Sequence, residues 1–224
     1  PKTPEDNPKP LQDFIGLFRN LHTLDWQRYV TNPGEISPPG QPFFHFDRKL
    51  ALFTQYLEQS GVRALAPVIA WLANHRDGTA CQQASVVHLD FHPNNILEDS
   101  EGHLIVVDWT SAEISDYRFD LAWTLALTLA YGGRTHRKMV LAEYERQMGK
   151  KVPALEVFEV SAFVRRIGSA MISMLIGAEK MGMRPEAVEV MRRDRRAFER
   201  LFQRLTAITR LELPEISAWL DTLE

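Results

Sequence analysis

From Asp116 to the C-terminus, apolar residues recur at helical spacing with scarcely a break, and this confines the chain to a mostly helical body. Residues 118–131 are apolar on nearly every face, the mark of a central helix buried on all sides. A second helix is expected over 134–148. Val157, Val160, Val164, Ile167, Met171, Met174 and Leu175 trace a stripe toward Met181. Pro185 suits a first helical position and opens a helix to Arg210, with Val188, Met191, Phe198, Leu201, Leu205 and Ile208 on one face. Pro214 starts a short last helix carrying Ile216, Trp219 and Leu220. Met and Phe stripes of this kind read as core.

The N-terminal part is helical too, with interruptions. Residues 1–10 hold four prolines and read as a tail or linker, so the folded unit is expected over 11–224. Leu11, Phe14, Ile15, Phe18 and Leu21 share one helical face. The Pro- and Gly-rich stretch from Thr31 to Pro42 should hold no regular element. Leu50, Phe53 and Leu57 mark a helix that Gly61 ends, and Leu65, Ile69, Leu72 and Ala73 mark another reaching Asn74. Between the two helical halves lie three short strand-like pieces, Val86–Leu89, Ile96–Glu98 and His103–Val107. The last two form a hairpin around Asp99-Ser100-Glu101-Gly102. Each is too short to stand without helical cover. The fold class is therefore α+β, mostly helical, with one small insert over 86–109.

Composition removes several functions. Lys plus Arg is 26 and Asp plus Glu is 29, a net charge of -3 that offers no general attraction to nucleic acid or acidic membranes. Cys81 is the single cysteine, which excludes an intrachain disulfide and a Cys-based metal site. Its expected role is that of a bystander near a loop. No apolar run approaches a membrane span and no signal-like segment opens the chain, so a cytoplasmic protein is expected. The chain does not begin with Met, as processed material or an excised piece would not. Arg184 to Arg210 carries eight arginines against four acids. It reads as a solvated helix face with i, i+4 pairs rather than a nucleic-acid surface.

The chemistry is concentrated in Val86-Val-His-Leu-Asp-Phe-His-Pro-Asn-Asn-Ile-Leu97 and in Ile105-Val-Val-Asp-Trp109. A loop leaving a strand presents Asp90 and, five residues later, Asn95. The hairpin then returns Asp108 to a strand end. Short carboxylates and an amide converging at strand ends suit Mg²⁺, which takes hard oxygen ligands and leaves room for phosphates. His88, Asp90 and His92 at i, i+2, i+4 also permit a zinc or binuclear hydrolase, but that reading leaves Asn95, the hairpin and Asp108 without a role.

The His-x-Asp-x-x-x-x-Asn element with its downstream Asp resembles the catalytic loop and metal-binding aspartate of kinase-like phosphotransferases. His92-Pro93, Val107-Asp108-Trp109 and Asp116-Tyr-Arg-Phe-Asp120-Leu-Ala are similar to the aminoglycoside and choline kinase branch. The resemblance implies the large C-terminal lobe of that fold and a Mg²⁺-dependent transfer of phosphate from ATP or GTP to the hydroxyl of a small molecule. On it, Asp90 is the catalytic carboxylate that orients the hydroxyl and takes its proton. Asn95 and Asp108 hold metal and nucleotide phosphates, and Asp120 buttresses the loop. His88 and His92 stand with Asp90 as catalytic candidates: His88 mainly braces backbone around the loop, and His92 lies near the phosphate path or braces the loop. Trp109 packs. Glu113, Asp116 and Tyr117 form an acidic rim on the acceptor side, within acceptor-side helices over 116–224, suited to an aminoglycoside, choline or related acceptor.

The resemblance also implies parts that this sequence does not supply. There is no Gly-x-Gly-x-x-Gly, no Val-Ala-x-Lys strand, and Lys2, Lys9 and Lys49 are the only lysines before the loop. The N-terminal β-rich lobe is therefore expected to be absent, the chain being part of a longer kinase or a shortened relative. Transfer by this polypeptide alone should be weak or nil, and the surface facing the missing lobe should be apolar and prone to self-association. A non-catalytic scaffold built on the same lobe is the rival reading. A protein kinase is disfavoured because Asp108 runs almost directly into Asp116–Asp120, leaving no activation segment.

Overall fold

A computed structural model describes residues 9–223 apart from 182, 183 and 185, so Pro185 and most of the expected tail lie outside the described residues. Helix α1 (Lys9–His22) begins inside the stretch expected to be tail, because Pro10 is tolerated in a first turn whose N–H groups lack helical partners. The Pro-rich break contains one helical turn, α2 (Pro33–Ile36), again opened by a proline. Helix α3 (Phe44–Ser60) stops at Gly61, whose φ of 74° forms a left-handed cap, and α4 (Ala66–Asn74) follows.

The strands make two separate antiparallel pairs. β2 (Ile96–Glu98) and β3 (Leu104–Val106) form the expected hairpin, with Leu97 opposite Ile105. Its turn is held by Asp99, whose carboxylate accepts from the Glu101 and His103 amides; these bonds hold the Asp99 carboxyl below its usual range. β1 (Ser85–Val87) pairs instead with β4 (Glu113–Ser115), which was not expected. Three residues with no β-branched run give β4 little signal of its own, and its partner lies far away in sequence.

Beyond β4, Asp116 caps α5 (Tyr117–Met148) by accepting from the Arg118 amide. Gly133, at φ 80° and ψ -175°, interrupts α5 where the two expected helices meet. Helix α6 (Leu155–Ile176) ends at Gly177, so the apolar stripe stops short of Met181. The expected continuous helix to Arg210 divides at Asp194 into α7 (Ala187–Arg193) and α8 (Arg195–Thr209). There Asp194 leaves helical geometry and accepts a hydrogen bond from the Tyr131 hydroxyl at 3.0 Å. α9 (Pro214–Asp221) closes the fold.

The core lies where α5 packs on α1, α6 and α8. Leu121, Leu125, Phe158 and Phe163 are fully enclosed there. Glu159 is buried among them and is matched by Arg137 at 2.6 Å and Arg204 at 3.1 Å, as an enclosed carboxylate requires. The arginine-rich stretch contains i, i+4 pairs, Arg193–Glu189 and Arg195–Glu199. Among the described residues no helix is long and apolar enough to cross a membrane.

Candidate active site

The site is assembled on the first turn of α5. Asp120 is fully buried there, and its carboxylate accepts from the His88 amide at 2.7 Å and the Leu89 amide at 2.8 Å. His22, at the end of α1, places Nε2 3.1 Å from the same carboxylate and Nδ1 2.7 Å from the Tyr144 hydroxyl. The carboxylate accepts, so Nε2 donates. Burial pushes the Tyr144 phenol well up, which keeps it a hydroxyl able to donate to Nδ1. The end of α1 and the loop after β1 thus meet on one carboxylate of α5.

This anchoring sets the backbone just before Asp90. Leu89 adopts φ 59°, a left-handed conformation that costs a branched apolar residue about 1 kcal/mol or more. It is held on both sides: its amide by Asp120, and its carbonyl by Arg165 Nη1 at 2.6 Å. Arg165 lies over the Trp123 ring at 4.0 Å. Burial pulls its guanidinium below the usual range, opposed by the charges of Asp90, Asp120 and Glu113.

Asp90 stands at the next position with its side chain about a third exposed (35 %). Its Oδ1 accepts the Trp123 indole N–H at 2.9 Å. The Asn95 amide group donates to the Asp90 carbonyl at 3.0 Å and to Oδ2 at 3.3 Å. His92 Nε2 lies 3.5 Å from Oδ2. Phe91 turns inward, stacks on Phe18 with centroids 4.3 Å apart, and offers its carbonyl to the Thr124 hydroxyl. An apolar anchor beside the carboxylate therefore fixes the loop to α1 and α5.

The hairpin brings in Asp108. The Val107 amide donates to the Asn95 carbonyl at 2.9 Å, and the Val107 carbonyl accepts from His88 Nε2 at 2.9 Å. Asp108 follows directly, exposed, at φ 61° and ψ 63°, with Oδ1 accepting from the Thr110 hydroxyl at 2.7 Å. His88 is enclosed between the strands and its Nδ1 has no partner. Among the described residues no three His, Cys, Asp or Glu side chains gather as a metal cluster. The His88–Asp90–His92 zinc arrangement is therefore not assembled: His88 is spent on Val107. Asn95 keeps its side-chain nitrogen on Asp90, which leaves its side-chain oxygen and the exposed Asp108 carboxylate as a sparse choice of oxygen donors. Such a set fits Mg²⁺ shared with phosphates and water better than a dedicated cage.

The acceptor-side residues sit elsewhere. Glu113 pairs with Lys49 at 2.8 Å. Asp116 is buried and forms a two-pronged pair with Arg118. Tyr117 packs against His22 and Tyr144. None of them lines the large cleft beside Asp90. That cleft, about 1070 Å³, runs from Asp90 and His92 between the start of α1, the hairpin and α5. Trp109 is half exposed, and its indole N–H returns to the Val106 carbonyl. On the outer hairpin face Leu97 and Ile105 are also exposed. Sequence reasoning missed His22, Trp123 and Arg165. Their signals are weak: one His closing an apolar helix, one Trp in an apolar run, one Arg within a buried stripe.

The helical body, the paired short strands and the Asp-Asn loop define a kinase-like phosphotransferase architecture. The sequence model of the phosphotransferase enzyme family matches residues 1–158, and the chain belongs to that family. No curated protein matches it. Among solved structures it resembles a Ralstonia eutropha protein assigned as an aminoglycoside phosphotransferase, with TM-score 0.63 and 17% identity over 88% of this chain and 65% of the other. Plasmodium vivax ethanolamine kinase gives TM-score 0.57 and 12% identity over 96% and 63%. Choline kinase LicA from Streptococcus pneumoniae gives 0.55 and 16% over 88% and 63%. These likenesses concern the fold, and the chain spans just under two thirds of the length of each.

Proposed function

We propose that the cleft is the acceptor half of a site that transfers the γ-phosphoryl group of ATP or GTP to the hydroxyl of a small molecule. The observation that carries this reading is the junction of Asp90, Asn95 and Val107-Asp108, tied by the Asn95–Asp90 and Val107–Asn95 hydrogen bonds. Asp90 orients the acceptor hydroxyl and takes its proton as the new P–O bond forms. Trp123 and Asn95 fix the rotamer in which it does so. Asp108 and the Asn95 side-chain oxygen would hold Mg²⁺, which would supply neutralisation of the phosphate charge. His92, beside Asp90, faces the path of the phosphoryl group. Asp120, His88 and Arg165 keep the loop in shape.

The exposed Leu97–Ile105 pair and Trp109 offer the apolar surface on which a nucleotide and a covering N-terminal lobe would sit. Transfer in such a site depends on a cover that positions the nucleotide. The reading is tested by calorimetric titration with ATP, with and without Mg²⁺, against Asp108→Asn. The expected result is Mg²⁺-dependent binding that the substitution removes. Binding indifferent to both metal and substitution overturns it.

A further inference from the structure

Resting on the phosphotransferase reading of Asp90, we infer that the acceptor is a neutral alcohol with a large apolar body, rather than a polyamine or a quaternary ammonium compound. The walls of the cleft beside Asp90 are the first reason. Leu11, Phe14, Ile96, Leu104, Leu127 and Val140 come from α1, the hairpin and α5, and together present an apolar surface around a volume of about 1070 Å³. That space exceeds what a choline-sized molecule fills and matches a ligand of drug-like size or larger.

Charge is the second. The lining holds three carboxylates, Asp13, Asp90 and Glu98, against two fixed cations, Lys9 and Arg166. Asp13 is paired with Lys9. Asp90 is the carboxylate that must face the reacting hydroxyl. The lining's excess over its fixed cations is thus a single negative charge, little with which to hold a polycation.

The third reason is the state of the aromatic residues. A quaternary ammonium group is held by open aromatic faces. Here Trp123 already carries the Arg165 guanidinium at 4.0 Å, and a second cation against that indole would meet a fixed positive charge in a shielded place. The Tyr131 hydroxyl accepts from Arg166 at 3.0 Å and donates to Asp194, which fixes a positive charge at the edge of that ring. Phe14 packs on Phe91 with centroids 4.9 Å apart. Two of the three aromatic residues thus already have a fixed cation beside them, which disfavours a second.

The experiment is a two-dimensional NMR titration of the full chain, with no metal or nucleotide, following the Trp123 indole N–H. The probes are n-octyl β-D-glucopyranoside below its micelle-forming concentration, choline and kanamycin. Expected is a saturable shift of the Trp123 signal with octyl glucoside and at least ~tenfold weaker response to either cation, a gap of about 1.4 kcal/mol. Leu127→Glu, at a half-buried position on the cleft wall, should weaken octyl glucoside and strengthen choline, reversing the order. Tighter response to choline or kanamycin in the wild-type chain overturns the inference, as does a Trp123 signal unmoved by all three probes. Loss of Mg²⁺-dependent ATP binding in the separate titration would overturn the phosphotransferase reading while leaving the cleft's preference measurable.

Discussion

Trp123 donates its indole N–H to Asp90 Oδ1 across 2.9 Å while carrying the Arg165 guanidinium on its face at 4.0 Å. One side chain thereby joins the Asp90 carboxylate to a half-buried cation, and Arg165 in turn holds the Leu89 carbonyl one residue before Asp90. Arg165→Met removes both the stacked charge and the donor to that carbonyl. The variant should lose about 2 kcal/mol of stability, the cost of an unmet buried acceptor and a lost cation–π contact. Arg165→Lys should recover little of it, since an ammonium does not reproduce the planar stack. Urea unfolding of the three proteins checks this, and equal midpoints for wild type and Arg165→Met would count against the coupling.

The Asp120 carboxylate serves three donors from two distant segments. Asp120→Ala strands the His88 and Leu89 amides together with the His22 ring, and should cost about 3 kcal/mol or more. Amide hydrogen exchange gives a local readout: protection of the His88 and Leu89 amides should fall by more than that of α8 amides.

Asp108 sits at a strained backbone position. Its φ of 61° is unfavourable for a residue with a Cβ, and its side chain is exposed. Asp108→Gly should therefore hold or raise stability, by up to about 1 kcal/mol, while Mg²⁺-dependent nucleotide binding is lost. Thermal unfolding and the ATP titration, run on one preparation, separate the two effects. A clear drop in stability would mean that the Thr110 contact outweighs the backbone strain.

Cys81 should be inert. Burial, with the negative charge of Asp116 beside it, pushes its thiol up to about 12. At pH 8 the folded chain then holds roughly a thousandfold less thiolate than an exposed cysteine. Reaction with a disulfide reagent should be correspondingly slow and become fast on unfolding in urea. The sign for stability follows from the raised value. Between the unfolded thiol's range near 9 and about 12, the unfolded chain releases a proton that the folded chain retains, so this group's contribution falls as pH rises through that window. Cys81→Ala should flatten the decline.

The helical frame could be read directly because its signals are local. Apolar stripes, Gly61 as a stop and the break near Gly133 all act within a few residues. What escaped depends on distant partners. β4 exists because Ser85–Val87 needs an edge to pair with, and the helix boundary at Asp194 involves a bond to Tyr131 sixty-three residues away. The site divides in the same way. Asp90, Asn95 and Asp108 announce themselves by spacing within one motif, whereas His22, Trp123 and Arg165 act through tertiary contacts that no local pattern encodes. The acidic rim illustrates the reverse: Glu113 and Asp116 lie close in sequence to the motif, yet each is committed to a basic side chain of its own.

The central claim is that metal and phosphates gather at Asn95 and Asp108, next to Asp90. The most direct measurement is paramagnetic broadening of the NMR spectrum by trace Mn²⁺ in the presence of ATP. Broadening should concentrate on the Asn95 amide and the Trp109 indole, and vanish in Asp108→Asn. Broadening centred on Glu113 and Asp116, or unchanged by the substitution, would contradict the account.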